Sequence, residues 1–402
     1  MKNSRKAIIT VFLFIVAIAG ELSYLFFTHQ KEKQLNADAL LSACDSSSSP
    51  TQCWYDGVEA ILKTKGVDVA FEAIARLYDT KPSFAQACHS FTHRVGQVAY
   101  EKFITNEQFA VSPKTSYCGY GFYHGFMEAL LARSHNFDEA RKFCDYVDHK
   151  LAAASPDAGL QCYHGIGHGS VNDHDPRDRG NERALVAPAL ALCEKVSATT
   201  LERYRCASGV FNGLAVFYTN GDYGLALKKD DPLWICREQK KEYQEACYGN
   251  MNVALLWFTH QDFSQASRFI EKIDRDDEAV KAIRYLAAPF GAAHQRQDSY
   301  TSEINFCRSL QPRLRLSCLQ GFAFGMLEHG PPGNEYIKPM QLCGSRELHN
   351  AEQNACFDYL FSYLGIWYPK EKAEQICATA AGSRSEMCLA TMRQTLQERS
   401  QQ

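Results

Sequence analysis

The sequence lacks any excess of basic residues. It has 402 residues, and its 43 Lys and Arg stand against 46 Asp and Glu, which gives a net charge of −3 with His neutral. A protein that binds nucleic acid neutralises phosphates with Lys and Arg, and no local basic patch makes up for the missing excess. We therefore expect no nucleic-acid partner.

The motifs of several common enzyme classes are also missing. The sequence contains no P-loop, no dinucleotide-binding glycine motif after a strand, and no serine-hydrolase elbow. A cysteine nucleophile needs a free thiol beside a histidine. Cys88 and His89 come closest, but the even number of cysteines argues that Cys88 is bridged.

A single long apolar run lies at the N-terminus. Basic residues within 1–6 precede it, and it extends over residues 7–27. The basic residues favour a cytoplasmic start, so we expect a signal anchor at 7–27, a linker at 28–43 and a body outside the membrane. The run is barely long enough to span, and the small residues 17–19 resemble a signal-peptide cleavage site. Both alternatives place the body in a periplasmic or extracellular compartment.

The body contains 16 cysteines, an even number that suits a disulfide framework in an oxidising compartment. From residue 144 onward they occur in couples, each flanking one predicted loop between helices. The predicted pairs are Cys144 with Cys162, Cys193 with Cys206, Cys236 with Cys247, Cys307 with Cys318, Cys343 with Cys356, and Cys377 with Cys388. Cys44 and Cys53 form an earlier couple, and Cys88 pairs with Cys118 by elimination.

The couples mark a structural repeat. A first amphipathic helix ends at the first cysteine, and a second helix begins at the second cysteine. Glycines three and seven residues later share one helical face: Gly121 and Gly125, Gly165 and Gly169, Gly209 and Gly213, Gly321 and Gly325. Glycine in an exposed helix costs about 1 kcal/mol relative to alanine, so these pairs indicate helices that pack closely. Ile270 and Arg284 replace both cysteines of one repeat, as expected if each couple forms one disulfide.

Second helices start at intervals of roughly 32 to 44 residues, which is typical of stacked helix pairs. We predict an all-α fold, an α-solenoid of disulfide-linked helical hairpins over residues 44–396, with a polar tail at 397–402. The architecture resembles the tetratricopeptide class of helical repeats. The sequence lacks the Trp-Leu-Gly-Tyr signature of that family, and the resemblance implies nothing about function.

Five of the 13 histidines and one glutamate lie at i, i+4 spacing on three consecutive second helices. The six candidate metal ligands are His89 and His93, His124 and Glu128, and His164 and His168. Residues four apart lie one turn above each other, so each pair can bind one ion from a single helix. Because packed helices lie about 8 to 10 Å apart, the three pairs predict a shared mononuclear or dinuclear site. The alternative is a polar core of hydrogen-bonded histidines.

Polar residues near the third of these helices are candidates for contacts to ligands or substrate. Glu128 and His174 are the candidate catalytic residues, since they can orient ligands or serve the substrate. A polar turn explains the residues around His174 better than a functional role does, but His174 itself is the exception. Glu328 and His329 are explained by an exposed helix terminus.

Two functions fit these residues. The first is a membrane-anchored metal-dependent enzyme, a hydrolase or an oxidase or oxygenase, that uses Zn, Cu or Fe to activate water or dioxygen. The second is a non-catalytic scaffold whose concave face binds a peptide or protein, with the histidines completing the core. Stoichiometric metal in the purified protein would distinguish the two.

Overall fold

The computed structural model describes residues 38–39, 42–105, 111–172, 176–293, 299–331, 333–380 and 383–400. These residues are all-helical and contain no β-strand, as the sequence predicts. They divide into two units, one ending at Ala85 and the other beginning at Gln86. The apolar run at 7–27 lies outside the described residues, and within them no helix combines the length and apolar character that a membrane span requires.

The helices whose ends are both described are labelled in chain order. They are α1 (Pro50–Lys65), α2 (Val67–Thr80), α3 (Pro82–Ile104), α4 (Gly121–Ser134), α5 (Phe137–Leu151), α6 (Ala158–Asn172), α7 (Glu182–Val196), α8 (Thr200–Asn220), α9 (Trp234–Arg237), α10 (Lys241–Phe258), α11 (Phe263–Glu271), α12 (Asp276–Ala293), α13 (Thr301–Ser309), α14 (Pro312–Glu328), α15 (Ile337–Cys343), α16 (Asn350–Trp367), α17 (Lys370–Thr379) and α18 (Ser383–Ser400). Single 3₁₀ turns occur at Pro113–Ser116, Pro176–Asp178 and Asp222–Gly224.

The first unit contains the helices α1 and α2, which meet at Gly66 and pack on each other. Gly66 has φ +88°, a value that favours glycine and separates the two helices. Val58 and Leu62 on α1 and Ile74 on α2 are buried in its core. The disulfide between Cys44 and Cys53 closes the start of this unit.

The second unit consists of pairs in which a first helix precedes a second helix. From α5 onward, each first helix packs on the second helix that follows it, and each second helix packs on the second helix of the next pair: α4, α6, α8, α10, α12, α14, α16 and α18 in succession. The first helices are amphipathic. On α5 the buried residues Ala140, Cys144, Val147 and Leu151 recur at helical spacing. On α6, in contrast, every residue from Ala158 to Val171 is buried. The second helices therefore form the interior.

Side-chain caps fix where several of these helices start. Asn136, Asn181 and Asp262 each accept a hydrogen bond from the backbone N–H three residues later, at the starts of α5, α7 and α11. Thr199 and Glu202 form a capping box at the start of α8. A cap at the first helix and a disulfide at the loop thus set the register of a pair.

All sixteen cysteines are paired, in the eight disulfides that the spacing predicts. Eight intrachain disulfides indicate an oxidising, extracytoplasmic environment. Helix boundaries differ from the prediction, because α5 continues past Cys144 to Leu151 and α6 already begins at Ala158, before Cys162. In this pair the cysteines link the sides of neighbouring helices rather than their ends, whereas Cys343 is the last residue of α15.

The predicted glycine pairs lie where second helices approach most closely. An added Cβ at Gly125, Gly209, Gly321 or Gly325 would collide with a backbone carbonyl of the neighbouring second helix. At Gly165 it would lie 2.7 Å from the carbonyl oxygen of Tyr123. These contacts confirm that the glycines permit the close packing of the second helices.

Replacing Gly325 with Ala is expected to lower the free energy of unfolding by about 1 to 3 kcal/mol, because the methyl group would overlap the Ala288 carbonyl and force α12 and α14 apart. The matched control is Gly249→Ala on α10, where the nearest atoms belong to the Tyr285 side chain at 3.3 Å. That control should lose no stability, since alanine favours a helix by up to about 1 kcal/mol. Denaturant unfolding of both oxidised variants measures the difference, and equal stabilities would contradict the packing argument.

Candidate metal centre

The candidate ligands lie at the closest contacts between second helices. Gly125 on α4 faces the backbone carbonyl of His93 on α3, and Gly209 on α8 faces the carbonyl of His164 on α6. Since neither glycine carries a side chain, the helices that bear the histidines are drawn together at the histidines themselves. The packing of the repeat therefore brings the imidazoles to one place.

The five imidazoles converge as two triads that share one member. His89, His93 and His124 form the first triad, and His124, His164 and His168 form the second. In each triad, one nitrogen from every ring lies within 4.8 Å of the others. The two triads are the groups of this kind among the described residues.

The spacing of the rings is the spacing that shared ions require. Imidazoles bound to one tetrahedral ion through bonds of 2.0 to 2.1 Å have nitrogens about 3.3 Å apart and ring centroids about 5 Å apart. In the first triad the centroids are 4.9, 5.2 and 5.1 Å apart. In the second they are 4.6, 5.2 and 5.2 Å apart.

Hydrogen bonds fix the tautomers of the outer rings of the first triad. His89 Nδ1 lies 2.9 Å from the carbonyl oxygen of Cys118, which can only accept, so Nδ1 carries the proton. His93 Nδ1 lies 3.4 Å from Glu128 Oε1 and donates to this carboxylate. Both rings therefore hold their lone pair on Nε2.

The outer rings of the second triad are held in the same way. His168 Nδ1 lies 3.3 Å from the same Glu128 Oε1. His164 Nδ1 lies 2.6 Å from Ser208 Oγ, whose own proton goes to the carbonyl of Arg205 at 2.8 Å. The Ser208 oxygen consequently accepts from His164, which again leaves the lone pair on Nε2.

These tautomers set two lone pairs against each other. His89 Nε2 and His93 Nε2 lie 3.2 Å apart, and His93 Nε2 lies 3.2 Å from His124 Nδ1. With both Nδ1 protons already donated elsewhere, no proton of a neutral ring lies between His89 and His93. A cation at this position satisfies both nitrogens at once.

Two further ring nitrogens have no hydrogen-bond partner among the described residues. Nε2 of His124 and Nε2 of His168 are both buried and unpaired. A buried polar atom without a partner costs about 1 to 3 kcal/mol. Both atoms belong to the second triad, so they mark the same region as the geometry does.

Burial keeps three of the histidines uncharged. It lowers the pKa of His89 to about 3, with a further decrease from His93 and an opposing increase from the hydrogen bond to Cys118. It also holds the pKa of His124 and of His164 well below the usual range, and the neighbouring imidazoles add to the decrease. Neutral imidazole is the form that binds a metal ion.

Glu128 lies behind the converging nitrogens. Its Oε1 contacts the Nδ1 atoms of His93 and His168, and its Oε2 accepts a hydrogen bond from Gln97 Nε2 at 3.4 Å. Burial raises the pKa of this carboxyl, but the hydrogen bonds from His168 and His93 outweigh burial and hold the pKa well below its usual range. The structure therefore puts Glu128, a predicted ligand and catalytic residue, in contact with two candidate ligands instead of in either triad.

The cluster opens into a cavity of about 660 Å³. Away from the histidines its walls are aromatic and polar, and they include Tyr204, Tyr285, Tyr363, Asn212 and Asn250. The hydroxyls of Tyr204 and Tyr285 are 2.8 Å apart, and the side chains of Asn212 and Asn250 are joined by a hydrogen bond of 3.2 Å. A cavity of this size holds a small molecule next to the imidazoles.

The sequence interpretation of Glu328 and His329 was incomplete. Both residues line the same cavity, and His329 lies beside His89 across Gly119. A Cβ on Gly119 would be 3.2 Å from His329 Nδ1 and 3.3 Å from His89 Nδ1. More than 200 residues separate His329 from His89. A search for ligand pairs on consecutive helices therefore misses this contact.

Other supporting residues gave no signal in the sequence. Ser208 orients His164, and Arg205 beside it forms a buried ion pair of 3.2 Å with Asp157, which also accepts from Gln161. Polar residues are common on any helix, so their role depends on the packing. His174, the other predicted catalytic residue, lies outside the described residues.

Comparison of the chain with models of protein families, with curated proteins and with solved structures finds no match.

Proposed function

We propose that the protein is an extracytoplasmic metal-dependent enzyme whose ion binds at His89, His93 and His124. The observation that carries this proposal is the 3.2 Å approach of His89 Nε2 to His93 Nε2 while the Nδ1 protons of both rings are donated elsewhere. A scaffold with a polar core would pair its histidines through protons. The scaffold alternative, with a peptide or protein on a concave face, leaves these two lone pairs without a cation.

The donor set limits the metal to a small group. Imidazole nitrogen suits Zn, Cu and Fe, and three such donors leave positions open for water or dioxygen. When bound, such an ion supplies a Lewis acid for hydrolysis or a redox centre for oxidation. The protein orients the ligands: Glu128 holds His93, and the Cys118 carbonyl holds His89. His174 remains the candidate for proton transfer to substrate.

The cavity beside the histidines favours an enzyme over a protein that only stores metal ions. Buried ionisable groups with shifted pKa values beside a chamber of about 660 Å³ are typical of active sites. The tyrosine and asparagine side chains of the chamber offer donors and acceptors to a small polar or aromatic substrate. A protein that only stores metal ions needs no substrate cavity beside them.

The proposal includes the setting of the enzyme. We propose that residues 7–27 anchor the chain in the membrane and that residues 44–396 form an α-solenoid on the extracytoplasmic side, without a nucleic-acid partner. The eight disulfides support an oxidising location, and the succession of packed second helices supports a stacked array.

The purified, oxidised full-length protein is expected to retain at least one transition-metal ion per chain after dialysis, since buried neutral imidazoles bind without losing protons. Elemental analysis measures the stoichiometry. Removal of the ion with a chelator should lower the melting temperature, and Zn²⁺ should restore it, because a ligand that binds only the folded state stabilises it. A protein that holds no ion and whose melting temperature does not respond to Zn²⁺, Cu²⁺ or Fe²⁺ would leave the scaffold alternative.

A further inference from the structure

We infer that the cluster holds a second ion, at His124, His164 and His168, and that the imidazole ring of His124 bridges the two ions. The inference rests on the proposed metal site and extends it from one ion to two.

The ring spacing of the second triad also fits a shared ion. Its three ring centroids are 4.6 to 5.2 Å apart, against about 5 Å for rings on a shared ion. His164 and His168 are buried, and the hydrogen bonds to Ser208 and Glu128 leave each Nε2 with a lone pair. His168 Nε2 finds no hydrogen-bond partner among the described residues. The second triad therefore presents buried lone pairs that a shared ion would satisfy.

His124 differs from the four outer histidines. Each outer ring has its Nδ1 on an orienting oxygen and offers only Nε2 to an ion. Among the described residues, no oxygen orients His124: its Nδ1 lies 3.2 Å from His93 Nε2 in the first triad, and its Nε2 is buried without a hydrogen-bond partner. A single ion at the first triad would use Nδ1 and leave Nε2–H buried and unpaired, which is unfavourable because the N–H loses its hydrogen bond to water. A second ion on Nε2 removes that cost.

Glu128 links the two triads symmetrically. One oxygen, Oε1, contacts Nδ1 of His93 in the first triad at 3.4 Å and Nδ1 of His168 in the second at 3.3 Å. The same carboxylate thus orients one ligand of each ion and adds a negative charge close to both. When the second ion binds, the ring of His124 releases its remaining proton to solvent, and the resulting imidazolate adds a second negative charge between the ions.

The bridging imidazole determines the distance between the two ions and therefore the chemistry that suits them. Two ions on opposite nitrogens of one imidazolate are about 6 Å apart, given bonds of about 2 Å. The two-metal hydrolases hold their ions about 3.5 to 4 Å apart so that both contact the same oxygens. The geometry here instead favours two separate ions in electronic contact. A Cu²⁺ pair of this kind suits the two-electron oxidation of a small molecule in the cavity: each ion takes one electron, and dioxygen, reduced to hydrogen peroxide, restores both ions to Cu²⁺.

Titration of the metal-free, oxidised full-length protein with Cu²⁺ tests the inference. We expect two tightly bound ions per chain. In the doubly loaded protein the electron paramagnetic resonance signal should fall well below that of two isolated Cu²⁺ ions, because an imidazolate bridge couples their spins. His168→Ala should bind one Cu²⁺ fewer and show the full signal of one isolated ion, and the exposed His149→Ala should behave as the wild type.

Each outcome has a defined meaning. One ion per chain, or two ions with the full uncoupled signal, would overturn the bridge and leave the first metal site standing. No bound ion would overturn both proposals. Because the coupled signal is measured on the wild-type protein, the test does not depend on the folding of a variant.

Discussion

Replacing His93 with Ala is expected to reduce the affinity for Zn²⁺ or Cu²⁺ at the first triad by at least about 100-fold. Residues that merely orient a metal ligand typically contribute 10- to 100-fold to affinity, so the loss of a ligand should exceed that range. His93 Nε2 is the common neighbour of His89 Nε2 and His124 Nδ1, at 3.2 Å from each. Its removal also takes away one hydrogen bond to Glu128, which then orients only His168.

Isothermal titration of metal-free protein measures this effect. The matched control is His149→Ala, an exposed histidine on α5 that lies outside both triads and should bind as the wild type does. A melting temperature measured without metal separates lost affinity from lost folding. Undiminished affinity in folded His93→Ala would show that the ion, if any, binds elsewhere.

The sequence predicts the covalent and packing framework well because both leave local signals. Cysteine couples across one loop can pair only with each other once the helices form, and the joint replacement by Ile270 and Arg284 supports the same pairing. Glycine pairs four residues apart have few explanations other than close helix packing. Helix ends are predicted less well: α5 ends at Leu151 rather than at Cys144. The position of a helix end depends on a local cap or turn, which the cysteine spacing does not report.

The ligand cluster was predictable only where it follows the repeat. The pairs on α3, α4 and α6 lie on consecutive second helices, so their convergence needs no knowledge of distant packing. His329 and Ser208 were not predictable, because their positions depend on how distant or differently oriented helices meet. Glu128 shows a further limit: the i, i+4 rule places it on the right helix face but does not distinguish a ligand from a residue that holds ligands.

The disulfide between Cys88 and Cys118 should affect the metal centre more than any other. Cys118, Gly119 and Tyr120 have φ values of 61°, 61° and 63°, so three successive residues adopt a left-handed conformation. This conformation costs about 1 to 2 kcal/mol for each residue other than glycine. The strained turn directs the Cys118 carbonyl at His89 Nδ1, at 2.9 Å. The disulfide to α3 holds the turn in that position.

Replacing both cysteines with Ser is expected to lower the free energy of unfolding by about 3.6 kcal/mol, the chain-entropy estimate for a loop of 30 residues. It should also weaken metal binding by about 10- to 100-fold, because the released turn no longer orients His89. The control is the double variant Cys377→Ser with Cys388→Ser, whose 11-residue loop gives about 2.8 kcal/mol. Both variants lose stability, but only the first should lose affinity in a titration of folded protein. Equal metal affinities for the two variants would mean that the left-handed turn keeps its geometry without the disulfide, and that the Cys118 carbonyl does not depend on it to orient His89.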